Sequence, residues 1–221
     1  GQLSIRWIEN KLNNHLNKVL KTDNDYVIAS DTDSVYLTME ELVKKTIKND
    51  NALTKTINFL DKVAKESIEP FISKSYDELK TYTNAFANKM FMKREVIADK
   101  GIWVAKKRYI LNVWDSEGVS YKQAKLKMMG IEAVKSSTPA PCRQMIKDVL
   151  KLIMTKTEDD VIDFIDNCRT KFRSLPPEEI SFPRTVSSVT KYRSVNAIYE
   201  KGTPIHARGA LLFNHYVKKN K

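Results

Sequence analysis

The 221 residues carry 38 Lys and Arg against 27 Asp and Glu, for a formal charge of +11, and are enough chain for one large domain or two small ones with a real core. A hydrophobic share of 42% with only six Gly and seven Pro excludes disordered and fibrous classes. The positive excess points to a polyanionic partner, nucleic acid first and an anionic membrane surface second.

No apolar run approaches the ~20 residues that span a bilayer, and "GQLSIRWIEN" does not read as a signal peptide. The expectation is a soluble intracellular protein with no membrane partner. The chain lacks an initiator Met and enters directly into a helical pattern, which suggests a fragment or a processed product.

Residues 2–20 set Ile5, Ile8, Leu12, Leu16 and Val19 at three- and four-residue intervals, a single apolar stripe on a helix. After the polar turn "KTDND", the runs Tyr26 to Ala29 and Val35 to Leu37 read as a hairpin with Asp31-Thr32-Asp33 at its tip. From about 54 to 79, Ile57, Leu60, Ala64, Ile68, Phe71, Ile72 and Leu79 make an amphipathic helix that Pro70 should kink or split. Residues 90–98 and 102–114 read as two strands joined around Gly101, with a third strand near 125–129. "SSTPAP" offers helix starts for segments at about 139–155 and, after Thr157, 158–173. "SLPPEEISFP" is a connector to a basic, helical or irregular remainder, and a domain boundary is expected near 133. The fold class is α+β: an antiparallel sheet with packed helices, then a mostly helical region.

Three clusters bear chemistry. Asp31 and Asp33 at a hairpin tip suit magnesium, which takes hard oxygen ligands and is held by one or two carboxylates together with phosphates. Asp and Thr are equally at home in any turn, where they cap backbone amides, and the residues alone leave both readings open. "KKRY", Lys106 to Tyr109, sits inside the apolar run "IWVAKKRYILNVW", where strand alternation sends Lys106 and Arg108 to one face and Lys107 and Tyr109 to the other. Seven Lys or Arg stand against two acidic residues between 100 and 127. Such a field suits phosphate contacts with an aromatic ring on a sugar or base, or an edge strand made polar against aggregation. Glu95 in "FMKREVIA" forms a local ion pair or a third carboxylate. Cys142 and Cys168 lack zinc spacing, and His15, His206 and His215 have no metal-ligand spacing. No phosphate-binding glycine loop or serine triad occurs.

The hairpin "IASDTDSVYLT", followed about seventy residues later by "VAKKRYILNV", resembles family B DNA polymerases in motif, order and spacing. "GQLSIRWIENKLN", "MKREVIA", "LKMMGIEAVKSSTP" and "GTPIHARGALLFNHY" are similar to replicative polymerases of T-even-type tailed bacteriophages, and these stretches run from Gly1 to Tyr216.

The resemblance implies that residues 1–133 are the C-terminal part of a polymerase palm and 134–221 a thumb. It implies that Asp33 coordinates the two catalytic magnesium ions together with an Asp from an earlier motif. Asp31 then lies near the metals with a lesser role, and Glu95 is a weaker candidate. It further implies that Lys106, Lys107, Arg108 and Tyr109 hold the primer-template duplex, with Lys127 and Arg208 as added DNA contacts.

The family's "SLYPS"-like motif with its Asp, the nucleotide-binding fingers helix and the exonuclease are not in this sequence. The metal pair is therefore expected to be completed from outside the chain, which should be inactive alone: a fragment, or one polypeptide of a polymerase encoded in pieces. Expected partners are primer-template DNA, dNTP, the remaining polymerase segments and a sliding clamp, in the cytoplasm of an infected bacterial host. A duplex-binding module without catalysis and an assembly subunit of a split polymerase are the competing functions.

Overall fold

The computed structural model describes residues 1–47 and 53–219. Two compact units follow one another, Gly1–Ile131 and Glu132–Lys221. The class is α+β, as expected.

The first unit begins with helix α1, Gln2–Leu20, whose buried stripe is Ile5, Ile8, Leu12, Leu16 and Leu20. The pattern errs only at its end. Val19 is 58% exposed while Leu20 is buried, and Lys21 then turns into the left-handed region (φ 54°) and ends the helix. Against this stripe pack Ile68, Ile72, Tyr76 and Leu79, with Tyr26 from the start of the hairpin. Ile8 and Leu12 are wholly inaccessible, and each such side chain contributes about 2 kcal/mol by leaving water.

The hairpin forms as expected from β1, Val27–Ser30, and β2, Val35–Leu37, paired antiparallel. A short helix α2, Glu40–Thr46, follows. Helices α3, Leu53–Val63, and α4, Glu69–Tyr82, are joined through a π-helical turn at Ala64–Ile68. Pro70 lies in the first turn of α4. The expected break falls just before it: the run stays helical, and the π-helical turn at Ala64–Ile68 separates α3 from α4 immediately ahead of Pro70.

The sheet departs from expectation in its boundaries. Its strands are β3, Val96–Ala105, β4, Arg108–Ser116, and β5, Val119–Met129, in the order β3-β4-β5 with both pairings antiparallel. Gly101 is not the turn; it lies within β3 opposite Leu111. A Cβ there would fall 2.7 Å from the Trp103 indole and 2.8 Å from Leu111, so the glycine makes room for a ring that lies back along its own strand. The third strand is longer than expected, and the run 90–95 precedes the sheet.

The second unit holds α5, Ala140–Thr155, α6, Glu158–Ser174, α7, Pro177–Ile180, and α8, Ile205–Lys219. Thr157 caps α6 in a reciprocal box with Asp160. Among its described residues Ala133, Pro139, Leu150, Met154, Ala207 and Leu211 are buried and apolar.

Candidate functional site

The acidic tip is built by its own turn. The Asp31 amide donates to the Ser34 carbonyl at 2.9 Å, closing the loop. Thr32 donates its amide to Asp31 Oδ1 at 2.8 Å and its hydroxyl to the same oxygen at 3.3 Å. The Thr32 amide bond, assisted by the Lys107 charge and opposed by desolvation, holds Asp31 below the usual carboxylate range. Asp33 is exposed and takes part in none of the ion pairs among the described residues. The two carboxylates thus differ: Asp31 is committed to its turn, and Asp33 faces outward.

The basic motif is a turn, not the middle of a strand. Ala105 pairs with Arg108, so Lys106 and Lys107 form a two-residue hairpin loop between β3 and β4. Strict alternation over the four residues is therefore broken at the first two. Both lysines are exposed, Arg108 is half-buried and Tyr109 is buried. Lys107 has φ 60°, a left-handed conformation that costs a residue with a Cβ roughly 1–2 kcal/mol. Lys107 Nζ stands 3.6 Å from Asp31 Oδ1, which brings the basic turn to the acidic one. With the Lys107 side chain 63% exposed, the pair contributes less than about 1 kcal/mol and reports geometry more than stability.

What fixes the two turns relative to each other is aromatic. Tyr36 of β2 meets Trp103 at 5.3 Å and Tyr109 at 5.4 Å between ring centroids, and Trp103 faces Tyr109 across β3 and β4. Burial first, then the hydrogen bond with Tyr109, raises the Tyr36 phenol above its ordinary value, with a lesser push from the charge of Glu95. The Tyr109 ring is covered by protein. Its neighbours on the chain, not its face, are what the turn offers outward. Sequence reasoning passed over Tyr36 and Trp103; the signal was the clustering of aromatics in "SVYL" and "IWVA" beside the two charged motifs.

Glu95 lies just before β3. Its carboxylate pairs with Lys127 of β5, and its carbonyl accepts the Glu117 amide at 2.7 Å. The segment is pinned by Arg94, whose guanidinium bonds both Asp61 of α3 and Asp115 of β4 and whose amide donates to Glu69 at 2.9 Å. Asp115 also accepts from the Ser120 hydroxyl at 2.7 Å and the Gly118 amide at 3.0 Å. Burial pushes Asp115 upward, but Ser120, Arg94 and Gly118 together hold it below the usual range. In the second unit, Arg208 is exposed, donates Nε–H to the Thr203 carbonyl at 2.7 Å and lies 5.7 Å over the Tyr199 ring.

Hard oxygen donors at a solvent-facing turn fit a divalent cation that keeps waters and shares substrate phosphates. Among the described residues no group of three or more His, Cys, Asp or Glu stands ready to enclose a metal, so Asp33 and Asp31 fit part of a site and not a closed one. No described helix is long and apolar enough to cross a membrane.

No protein-family model matches the chain. Over 230 aligned residues covering all of it, the chain is 36% identical to a DNA-directed DNA polymerase of Escherichia phage RB69. Over 98% of its length it is 34% identical to a DNA-directed DNA polymerase of Enterobacteria phage T4. Each match covers 25% of the relative, so the chain spans about a quarter of the length of the curated relatives it matches.

Proposed function

We propose that this chain, which belongs to the DNA-directed DNA polymerases of T-even-type phages, supplies the C-terminal palm and a thumb portion of a family B enzyme. The palm portion is residues 1–133 and the thumb portion 134–221. The observation that carries the reading is the approach of Lys107 to Asp31, which puts a metal-suited turn beside a phosphate-suited one, in a chain related throughout to polymerases.

Asp33 binds magnesium with its uncommitted carboxylate; Asp31 shapes the turn and contributes at its edge, and Glu95 is a weaker third carboxylate. When bound, a pair of such ions lowers the pKa of the primer 3′-hydroxyl and neutralises charge on the triphosphate during in-line attack. Lys106, Lys107 and Arg108 contact the duplex backbone near the primer end without reading bases. Tyr109 anchors that strand through Tyr36, and Lys127 and Arg208 add positive charge. The other metal-binding Asp and the nucleotide pocket come from polymerase segments outside these residues, so the chain alone does not polymerise. It works in the host cytoplasm on primer-template DNA and dNTP, with a sliding clamp as an associated partner.

In the complete polymerase, Asp33→Ala should lower nucleotide incorporation roughly a hundredfold or more while primer-template affinity stays within about twofold. Unchanged incorporation would sink the metal assignment. Primer extension by the purified 221-residue chain would overturn its inactivity, and indifference to Asp33→Ala in the complete protein would favour a plain binding module.

A further inference from the structure

Two glycines bracket β5, and both sit at positive φ: Gly118 at 89° before the strand and Gly130 at 65° after it. They differ in what faces them. A Cβ on Gly118 would meet nothing within 4 Å, whereas one on Gly130 would stand 2.4 Å from the backbone carbonyl oxygen of Lys107 and 3.0 Å from Arg108 Cγ. The first distance is impossible for a real side chain, and the obstacle is backbone, which cannot swing aside as a side-chain tip would. Met129, the residue before Gly130, pairs with Tyr109. The end of β5 therefore closes against the turn that carries Lys106 and Lys107.

We propose that Gly130 is a positioning residue for the basic turn: its missing side chain lets the end of β5 press on the Lys107 carbonyl and hold Lys107 in its left-handed conformation. The inference rests on the reading of that turn as a duplex contact. Lys107 is neither Gly nor Asn, and nothing in its own chemistry favours φ 60°. A backbone outlier of this kind persists only where its surroundings impose it, and the Lys107 carbonyl oxygen is the atom nearest to the place a Gly130 side chain would occupy. The conformation sends Lys107 Nζ toward Asp31, so the same packing that tolerates no Cβ at 130 sets the spacing between the basic and acidic turns. A residue at 130 would move the Lys107 carbonyl, rotate the turn and spread the two lysines away from the phosphate path.

Asn separates contact from backbone strain, because it accepts positive φ yet carries a Cβ. Gly118→Asn and Gly130→Asn are compared with the parent chain by fluorescence anisotropy on a labelled primer-template duplex, with circular dichroism at 25 °C as the check on folding. Gly118→Asn should bind within about twofold of the parent. Gly130→Asn should stay folded, bind about tenfold more weakly and show a log-log salt slope shallower by about one. Parent-like binding and slope for Gly130→Asn would overturn the proposal, as would a Gly130→Asn chain unfolded at 25 °C, which would make Gly130 a determinant of folding and not of position.

Lys107→Gly gives a readout of opposite sign. It removes the left-handed cost and should raise the thermal midpoint while weakening the duplex; an unchanged or lower midpoint would argue that the turn is not held against its preference. The double variant Lys106→Ala/Lys107→Ala tests the underlying reading. If it binds duplex like the parent, the turn is no DNA contact. If it loses affinity while Gly130→Asn does not, only the role of Gly130 fails.

Discussion

The two units bury their helices to different degrees. In the first, α1 gives five residues to a cluster that α4, the π-helical turn and Tyr26 complete, and a guanidinium bonded to two carboxylates ties α3 to the sheet. In the second, α6 is a 17-residue helix with no buried residue, and Phe182, Val195 and Ile205 are largely exposed. One unit is held by side-chain packing, and the other leans more on helix ends and local bonds. Stability and sensitivity to substitution should divide along the same line.

The sharpest test is Leu12→Ala in the first unit. The side chain is fully enclosed, so its loss should cost about 3–4 kcal/mol through transfer and cavity terms, read as a shift of the urea midpoint. A cost below about 1 kcal/mol would erase the contrast between the units. Arg94→Ala should cost about 3 kcal/mol, because it leaves Asp115 buried without its counter-charge; near-neutral stability would show that water reaches the carboxylate.

Acid should act on the same network. Asp115 and Asp61 are both held below the ordinary carboxylate range. Their folded forms bind a proton less readily than the unfolded chain. The stability they contribute is present above the unfolded pKa, near 4, and is lost as pH falls through their lower folded values. Chemical denaturation from pH 6 down to pH 3 should show this loss, reduced in Asp115→Asn.

Smaller again is Thr157→Ala in the second unit, which opens the capping box of α6 and should cost about 1 kcal/mol, seen as reduced helical signal on mild heating. The smallest is Ile162→Ala on α6. Ile162 is half-exposed, and its removal should shift stability by no more than about 0.5 kcal/mol. A cost matching Leu12→Ala would mean that α6 is as tightly packed as α1.

Much of this was legible in the residues. The stripe from Ile5 to Leu16 names its helix because apolar spacing at 3.6 residues per turn admits one buried face, and Thr157 names a helix start because a threonine side chain can cap the free amides of a first turn. The turn at Lys106 and Lys107 was not legible. "IWVAKKRYILNVW" has strand formers throughout, with no Gly, Asn or Pro at its bend, so local preference reads one strand where two meet. Gly101, which looks like a turn, serves Trp103 instead. The two acidic residues could be read as a metal site only through resemblance, since a turn and a ligand set use the same side chains.

The sequence by itself determined the α+β class, the main helices, the acidic hairpin and the kinship with phage polymerases, because periodicity, capping and motif order are local or linear properties. Only tertiary structure decided that Lys107 approaches Asp31, that Tyr36 and Trp103 enclose Tyr109, that Arg94 bonds two carboxylates, and that Gly130 must lack a side chain. Each of those depends on how separate segments close in space, and the excluded volume of a neighbouring strand is not written in the residues it excludes.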